Sequence, residues 1–269
     1  MNQIVDKKEL ASDIVQFRVK APEIAAKARP GHFLIVRAKE KSERIPLTIA
    51  DYDRDEGTVM IIVQEVGFSS REIANFKPGE AFQDLVGPLG QAVELDGWDQ
   101  VVCVGGGLGA APLYPKVKEL RERADQVITI LGAATAEKLI LVEEFRDHSD
   151  QLYLATDDGS RGREGFVTDV LQEVITQNEG LDLVVAAGPM VMMKAVSGLT
   201  AGPGIKTLVS LNSIMVDGTG MCGGCRVTVG EETKFACVDG PVFDGHQVDF
   251  EEQIKRKQFY TDQEKKLDE

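Results

Sequence analysis

The residues best equipped for chemistry are Asp217, Cys222, Cys225 and Cys237, which read Asp-x4-Cys-x2-Cys-x11-Cys and hold three of the chain's four cysteines. A Cys-x2-Cys pair places two thiolates on one tight loop, and glycines at 218, 220, 223 and 224 let backbone N–H groups turn toward whatever the sulfurs hold. Three readings are open on spacing alone. The first is a 2Fe-2S cluster in the plant-type Cys-x4-Cys-x2-Cys…Cys arrangement, with the carboxylate of Asp217 in the first place. The second is a structural zinc knuckle, which wants four Cys or His ligands, although the nearest histidine, His246, lies nine residues beyond Cys237. The third is a set of buried thiols on a glycine-rich loop.

A second group is Gly105-Gly-Gly-Leu-Gly109, placed after the apolar run Val101-Val-Cys-Val104 and before a segment of helical period over 111–123. A glycine-rich strand-to-helix turn offers backbone N–H groups and a helix dipole to a pyrophosphate. The acidic residue expected about 20 positions on in a dinucleotide Rossmann unit is missing, since the next strand ends in Gly132-Ala-Ala-Thr135. Two later strand ends carry polar turns, Ala155-Thr-Asp-Asp-Gly-Ser160 and Ala187-Gly-Pro-Met190. In an open parallel sheet all three turns converge on one crevice. A third group is Arg44-Ile-Pro-Leu-Thr48, an arginine and a hydroxyl on an otherwise apolar strand.

The elements that position these groups change character along the chain. Residues 1–96 alternate short apolar runs with turns, at 13–19, 31–37, 45–50 and 58–63, which predicts a small antiparallel β-barrel. The Pro78-Gly79 and Gly87-Pro88-Leu89-Gly90 turns are expected to close it. Residues 97–209 alternate buried strands (101–104, 127–131, 152–155, 183–187) with helical stretches (111–123, 136–145, 168–177, 191–199), a parallel α/β unit. A strand at 207–211 leads into a small domain over 210–269, which carries the cysteines and ends in a charged helix and tail over 251–269.

Barrel, Arg-x-Pro-Leu-Thr strand, Gly-Gly-Gly-Leu-Gly-Ala-Ala-Pro-Leu loop, Thr-Asp-Asp-Gly-Ser turn, Ala-Gly-Pro-Met turn and cysteine loop, in that order, resemble the ferredoxin-reductase-like iron-sulfur flavoprotein family over nearly the whole chain. Within it the pattern is similar to the electron-transfer subunits of dihydroorotate dehydrogenase and, more closely, to the small subunits of NADH-dependent reduced ferredoxin:NADP oxidoreductases. The resemblance implies FAD on the barrel, with Pro46, Leu47 and Thr48 along the flavin, Thr48 beside its reactive N5 as the catalytic residue, Arg44 toward the pyrophosphate, and Val63, Gln64, Ser69 and Ser70 on the second flavin-contacting strand and turn. It implies NAD(H) over Gly107, Leu108 and Gly109, with Asp157, Asp158, Gly188, Pro189 and Met190 lining the rest of that site. It implies a 2Fe-2S cluster on Asp217, Cys222, Cys225 and Cys237; the carboxylate at 217 looks like the ferredoxin:NADP type, and Ala187 stands where many relatives have cysteine.

The activity so implied is that of an oxidoreductase subunit that exchanges hydride with NAD(H) at the flavin and single electrons with the cluster. Its partner would be a larger flavoprotein subunit with 4Fe-4S clusters and a second FAD, reaching ferredoxin through that subunit in a bifurcating heterodimer. The alternatives are a dihydroorotate dehydrogenase electron-transfer subunit and a non-enzymatic NAD-responsive regulator built on a zinc knuckle. Asp157 and Asp158 favour NAD, although Ser160, Arg161 and Arg163 could meet a 2′-phosphate. A net charge of −14 argues against nucleic-acid or anionic-membrane partners. No apolar run approaches a membrane span and the first residues carry no signal-peptide core, so a cytoplasmic protein is expected.

Overall fold

The computed structural model describes residues 2–258, so the tail expected beyond the last helix lies outside the described residues. The chain begins with strands β1 (Ile4–Ala11) and β2 (Ile14–Lys20), a short helix α1 (Pro22–Ala25), strands β3 (Phe33–Arg37), β4 (Arg44–Thr48), β5 (Asp51–Asp53) and β6 (Thr58–Gln64), helix α2 (Phe68–Ala74) and strand β7 (Asp84–Leu89). These form two antiparallel sheets, in the orders β1-β2-β6-β5 and β4-β3-β7. They close on a core that includes Phe17, Leu34, Val36, Ile61, Val63 and Phe82. Strand alternation decides what each wall presents. Leu34 and Val36 enter that core, whereas Phe33 and Ile35 point out of it into the core shared with the rest of the molecule. The Gly87-Pro88 dipeptide, expected in a turn, lies within β7. β7 pairs only with β3, and an edge strand tolerates the missing proline N–H.

A second set follows: β8 (Gln100–Gly106), α3 (Ala110–Arg121), β9 (Gln126–Ala133), α4 (Val142–Asp147), β10 (Gln151–Thr156), β11 (Arg163–Glu164), α5 (Val167–Gln177), β12 (Leu183–Ala187), α6 (Met190–Ala201) and β13 (Lys206–Ser210). The continuous helix expected over 136–145 is instead a 3-10 turn, Ala136–Lys138, and the separate α4, with Leu141 at a φ of 57° between them. The remaining elements are the hairpin β14 (Arg226–Val229) and β15 (Glu232–Phe235), strand β16 (Val242–Asp244) and helix α7 (Phe250–Gln258). The central sheet has the order β11-β10-β9-β8-β12-β13-β16, parallel except for β16. The chain runs from β8 to β10 in one direction and then returns beside β8 with β12. That topological switch point is where open α/β sheets place their ligands.

One side of the sheet packs with α3 and the barrel residues Ile14, Ala50, Met60 and Ile62; the other packs with α5, α6 and the cysteine segment. Lys116 of α3 is buried on the first side at 1% exposure, its Nζ donating to the Pro112 carbonyl at 2.6 Å. Burial lowers its pKa to about 8 and pushes the neighbouring Cys103 thiol up to about 12. A depressed lysine pKa penalises the folded state fully below pH 8, where folded and unfolded chains both carry the proton. The penalty disappears as pH rises toward the ordinary lysine value. Lys116→Met is therefore expected to stabilise the fold at pH 7 by up to about 3 kcal/mol, with the gain shrinking between about pH 8 and 10.5. Denaturant unfolding of both chains across that range checks it, and a destabilised variant at pH 7 would give Lys116 a role beyond packing.

Candidate functional site

The β14–β15 hairpin explains the spacing of the last two cysteines. Arg226 pairs with Phe235 and the strands turn through Gly230, so Cys225 lies opposite Ala236, whose N–H donates to the Cys225 carbonyl at 3.0 Å, and Cys237 follows one residue on, within reach of Cys225. Their sulfurs lie 3.1 Å apart, both residues are buried, and Cys237 N–H donates to Cys225 Sγ at 3.4 Å. Cys222 is exposed, and its sulfur accepts from Gly224 N–H at 3.4 Å. Asp217 is folded into the same loop: Oδ2 accepts from the N–H groups of Thr219 and Met221, each at 3.1 Å, and Oδ1 from Cys222 N–H at 3.3 Å. Hydrogen bonds from Cys222 and then Thr219 hold this carboxyl well below the usual carboxylate range. The donors thus fall into two pairs, Cys225 with Cys237 and Asp217 with Cys222, joined by one loop.

Two pairs suit two irons. Burial pushes the Cys237 thiol up to about 12, so a thiolate there needs a neighbouring cation, which a bound metal would supply. Asp217 also serves as the loop's cap, a role its spacing did not reveal. Helix α7 braces the loop from behind: Arg256 donates to the Gly224 carbonyl at 2.9 Å, and Gln253 joins Ser213 Oγ at 3.0 Å and the Arg226 carbonyl at 3.1 Å. The charged sequence of α7 announced only a surface helix.

At the switch point, the turn Gly107–Gly109 and the segment 187–190 lie against each other, with α3 and α6 starting immediately beyond. Gly107 has a φ of +54° and open space where a Cβ would stand, so its backbone is free to approach a ligand. Gly109 differs. A Cβ there would overlap the Ala187 carbonyl oxygen and lie 2.7 Å from Gly188 Cα, so this glycine lets two loops touch and does not itself clear space for a phosphate. Leu108 is half-buried and packs on the α3 side, Met190 is buried at the start of α6, and Pro189 is exposed.

Asp157 and Asp158 are exposed on the turn after β10, two strands away from β8. Asp158 Oδ1 accepts from Ser160 N–H and Oγ at 3.0 and 2.6 Å, which shapes the turn. Ser160 Oγ in turn accepts from Ala136 N–H at 2.7 Å, fixing the turn to the end of β9. Arg163 is paired with Glu173, and Arg161 stands 3.8 Å from Glu143.

On the barrel, β4 sits in register with β3, Pro46 opposite Ile35 and Thr48 opposite Phe33. Residues directly opposite share a face. Pro46 and Thr48 therefore belong to the outer face with Phe33 and Ile35, while Ile45 and Leu47 pack on the barrel core. Val63 is buried in that core as well and has only backbone to offer a ligand, whereas Leu47 is partly exposed. Gln64 Nε2 donates to Asp13 Oδ2 at 3.0 Å, and Asp13 also pairs with Lys138 beside the crevice. Ser70 Oγ accepts from the N–H groups of Val66 and Gly67, each at 2.9 Å, and Ser69 Oγ donates to Glu43. Arg44 is exposed, with no ion pair among the described residues.

The cysteine loop reaches this wall. A Cβ at Gly218 would lie 3.1 Å from Ile35 Cδ1 and 3.5 Å from Leu89 Cδ1, and Ile35 is the register partner of Pro46. Gln91 N–H and Nε2 donate to the Gly240 and Val238 carbonyls at 2.7 and 2.9 Å, fastening the barrel to the segment after Cys237. Sequence reasoning also missed an exposed apolar rim on the loop, Val216, Met221 and Val238, and the exposed Phe68 at the start of α2.

Comparison with known proteins fits this geometry. Residues 212–249 match the iron-sulfur cluster binding domain of dihydroorotate dehydrogenase B, and residues 103–198 match the oxidoreductase NAD-binding domain. A Thermotoga maritima protein named as a homolog of the dihydroorotate dehydrogenase B (NAD(+)) electron transfer subunit is 46% identical, over 98% of this chain and 93% of its own. The chain belongs to the dihydroorotate dehydrogenase B electron-transfer subunit family. A family member from Fusobacterium nucleatum, named as the electron transfer subunit itself, is 31% identical over 90% of this chain and 95% of its own. The solved structure of an NADH-dependent reduced ferredoxin-NADP oxidoreductase, described in terms of flavin-based electron bifurcation, has a TM-score of 0.93 and 45% identity, covering 98% of this chain and 95% of that one. A ferredoxin reductase of carbazole 1,9a-dioxygenase, at 21% identity and TM-score 0.64, shares the fold. The family carries the iron-sulfur and NAD-binding domains on an antiparallel β-unit joined to a parallel α/β sheet, as expected from the sequence. Among the described residues no helix is long and apolar enough to cross a membrane.

Proposed function

We propose that this chain is the small, electron-transferring subunit of a bifurcating NADH-dependent ferredoxin:NADP oxidoreductase, with FAD on the barrel wall, NAD(H) in the switch-point crevice and a 2Fe-2S cluster on Asp217, Cys222, Cys225 and Cys237. The observation that carries this reading is Ile35, which has the cysteine loop at Gly218 against its side chain and the proposed flavin strand at Pro46 as its register partner. Paired β residues of this kind have Cα atoms about 5 Å apart. A cluster on the loop and a ring on the strand are then near neighbours, as electron transfer between them requires.

The flavin supplies the conversion between two-electron and one-electron chemistry. The protein's part is positional. Thr48 would offer the flavin a hydroxyl from the outer face of β4, and the exposed Arg44 at the start of that strand would meet a pyrophosphate. Gly107 and the N-termini of α3 and α6 receive the dinucleotide phosphates. Asp157 lies free to meet a ribose hydroxyl, and with Arg163 ion-paired the crevice favours NAD(H) over its phosphorylated counterpart. The larger flavoprotein partner would dock at the cluster rim, where Cys222 and Met221 are exposed. The Asp217 carboxylate and the 45% identity to the bifurcating reductase favour that assembly over a dihydroorotate-oxidising one.

The purified chain should show flavin absorption together with the broad absorption of a 2Fe-2S cluster; a colourless zinc protein would refute the reading. Thr48→Val should retain FAD and fold while anaerobic flavin reduction by NADH slows by about tenfold, the size of one lost hydrogen bond. Unchanged reduction kinetics would remove Thr48 from the site.

A further inference from the structure

Ser210 is the last residue of β13, at the carboxyl end of the central sheet, and it is 8% exposed. Its Oγ is buried and has no hydrogen-bond partner among the described residues. The other such atom, Glu119 Oε1, has Arg123 at 3.1 Å, so the Ser210 hydroxyl stands apart. An unsatisfied buried hydroxyl costs about 1–3 kcal/mol, and native folds leave few of them without a reason.

Its surroundings supply a reason. Ser210 is in register with Ala187, the residue that opens the Gly188–Pro189 turn of the crevice, and on its other side with Val242. Alternation puts it on the face of Leu208, which packs with Val185, Ala187 and Val242 toward α3 and the barrel. The next residue, Leu211, bonds through its N–H to the Pro241 carbonyl at 2.9 Å. The neighbouring Gly240 carbonyl oxygen lies beside Gly90, where a Cβ would stand 3.1 Å from the Phe33 ring, and Phe33 is the register partner of Thr48. Ser210 therefore shares the carboxyl edge of the central sheet with the Ala187–Gly188 turn of the crevice.

We propose that the Ser210 hydroxyl is the sheet-side hydrogen-bond partner of the nicotinamide carboxamide, a residue that seats the dihydropyridine ring against the flavin. This rests on the function proposed above and names the contact that orients its substrate. A hydroxyl suits a carboxamide because it can accept from the NH2 or donate to the C=O. The assignment goes to the nicotinamide because Ser210 shares its strand ends with the Ala187–Gly188 turn, whereas the flavin belongs to the opposite wall.

The test uses the full chain carrying its FAD and cluster, with the flavin first reduced by dithionite so that NADH binds without turnover. Binding of NADH and of ADP-ribose, which has every part of the dinucleotide except the nicotinamide, is measured on wild type, Ser210→Ala and Ser210→Thr. Ser210→Ala should weaken NADH about five- to tenfold, the equivalent of one neutral hydrogen bond. ADP-ribose affinity, FAD content and flavin absorption should stay unchanged, and Ser210→Thr should restore NADH binding. Equal weakening of both ligands, loss of FAD, or no change in either ligand overturns the proposal. So does a shifted flavin spectrum with unaltered NADH binding, which would move the hydroxyl to the flavin. A wild-type chain that NADH fails to reduce sinks the functional reading itself, before any variant is compared.

Discussion

Cys225→Ser is expected to abolish cluster assembly, leaving a protein that still binds FAD and is still reduced by NADH. Cys225 is 1% exposed and faces Cys237 across 3.1 Å, so its sulfur belongs to the buried ligand pair, where no solvent ligand can substitute. The hydroxyl of serine is far less acidic than a thiol, and an unpaired buried hydroxyl adds about 1–3 kcal/mol of destabilisation to the hairpin. Iron content should fall to near zero and the broad visible absorption should vanish, leaving the flavin bands. Cys222→Ser is the informative comparison: Cys222 is exposed, so its replacement should yield a reduced, spectrally altered cluster, not none. Equal iron in the Cys225 variant and wild type would remove the hairpin pair from the ligand set.

The second large effect belongs to Gly109. Gly109→Val should destabilise the molecule by several kcal/mol, because its Cβ would overlap the Ala187 carbonyl and press on Gly188, both backbone groups that cannot rotate away. Dinucleotide binding would be lost with the geometry of both turns, and the loss would appear as a lower unfolding midpoint along with lost NADH oxidation. Gly107→Ala separates the two roles that glycines play in this turn. Open space surrounds its missing Cβ, and the strain of a φ of +54° costs only about 1 kcal/mol, so the fold should survive while NADH binding weakens. A Gly109→Val chain with a wild-type midpoint would contradict the contact.

These expectations show where sequence sufficed and where it did not. The parallel strands were legible because runs such as Leu183–Ala187 are apolar throughout, as only a strand covered on both faces can be. The cysteine spacing was legible because a hairpin with a tight turn returns the chain after a fixed number of residues. The first strand, Ile4–Ala11, escaped notice since half of it is exposed at the sheet edge and its sequence carries four charges in succession, Asp6 to Glu9. The break between Lys138 and Val142 was invisible to periodicity because it depends on Leu141 taking a left-handed conformation, a tertiary demand. Gly109 and Gly107 look alike in a motif and differ only in what faces them. Ser210 carried no signal at all, for a serine at a strand end is ordinary until its hydroxyl is found buried without a partner.

The placement of β16 bears on how such a molecule is put together from parts. β13 and β16 are hydrogen-bonded neighbours in one sheet, so the entire cysteine segment is topologically the connection of a single antiparallel hairpin. The entropic cost of closing a connection grows only with the logarithm of its length, about 0.6 kcal/mol for each doubling. A short turn at this edge and a whole metal-bearing module thus differ little in what they ask of the sheet, and the graft point fixes the module's orientation through the ladder on either side of it. A reductase scaffold can in this way acquire or exchange a redox centre at one edge without its nucleotide-binding strands being redesigned.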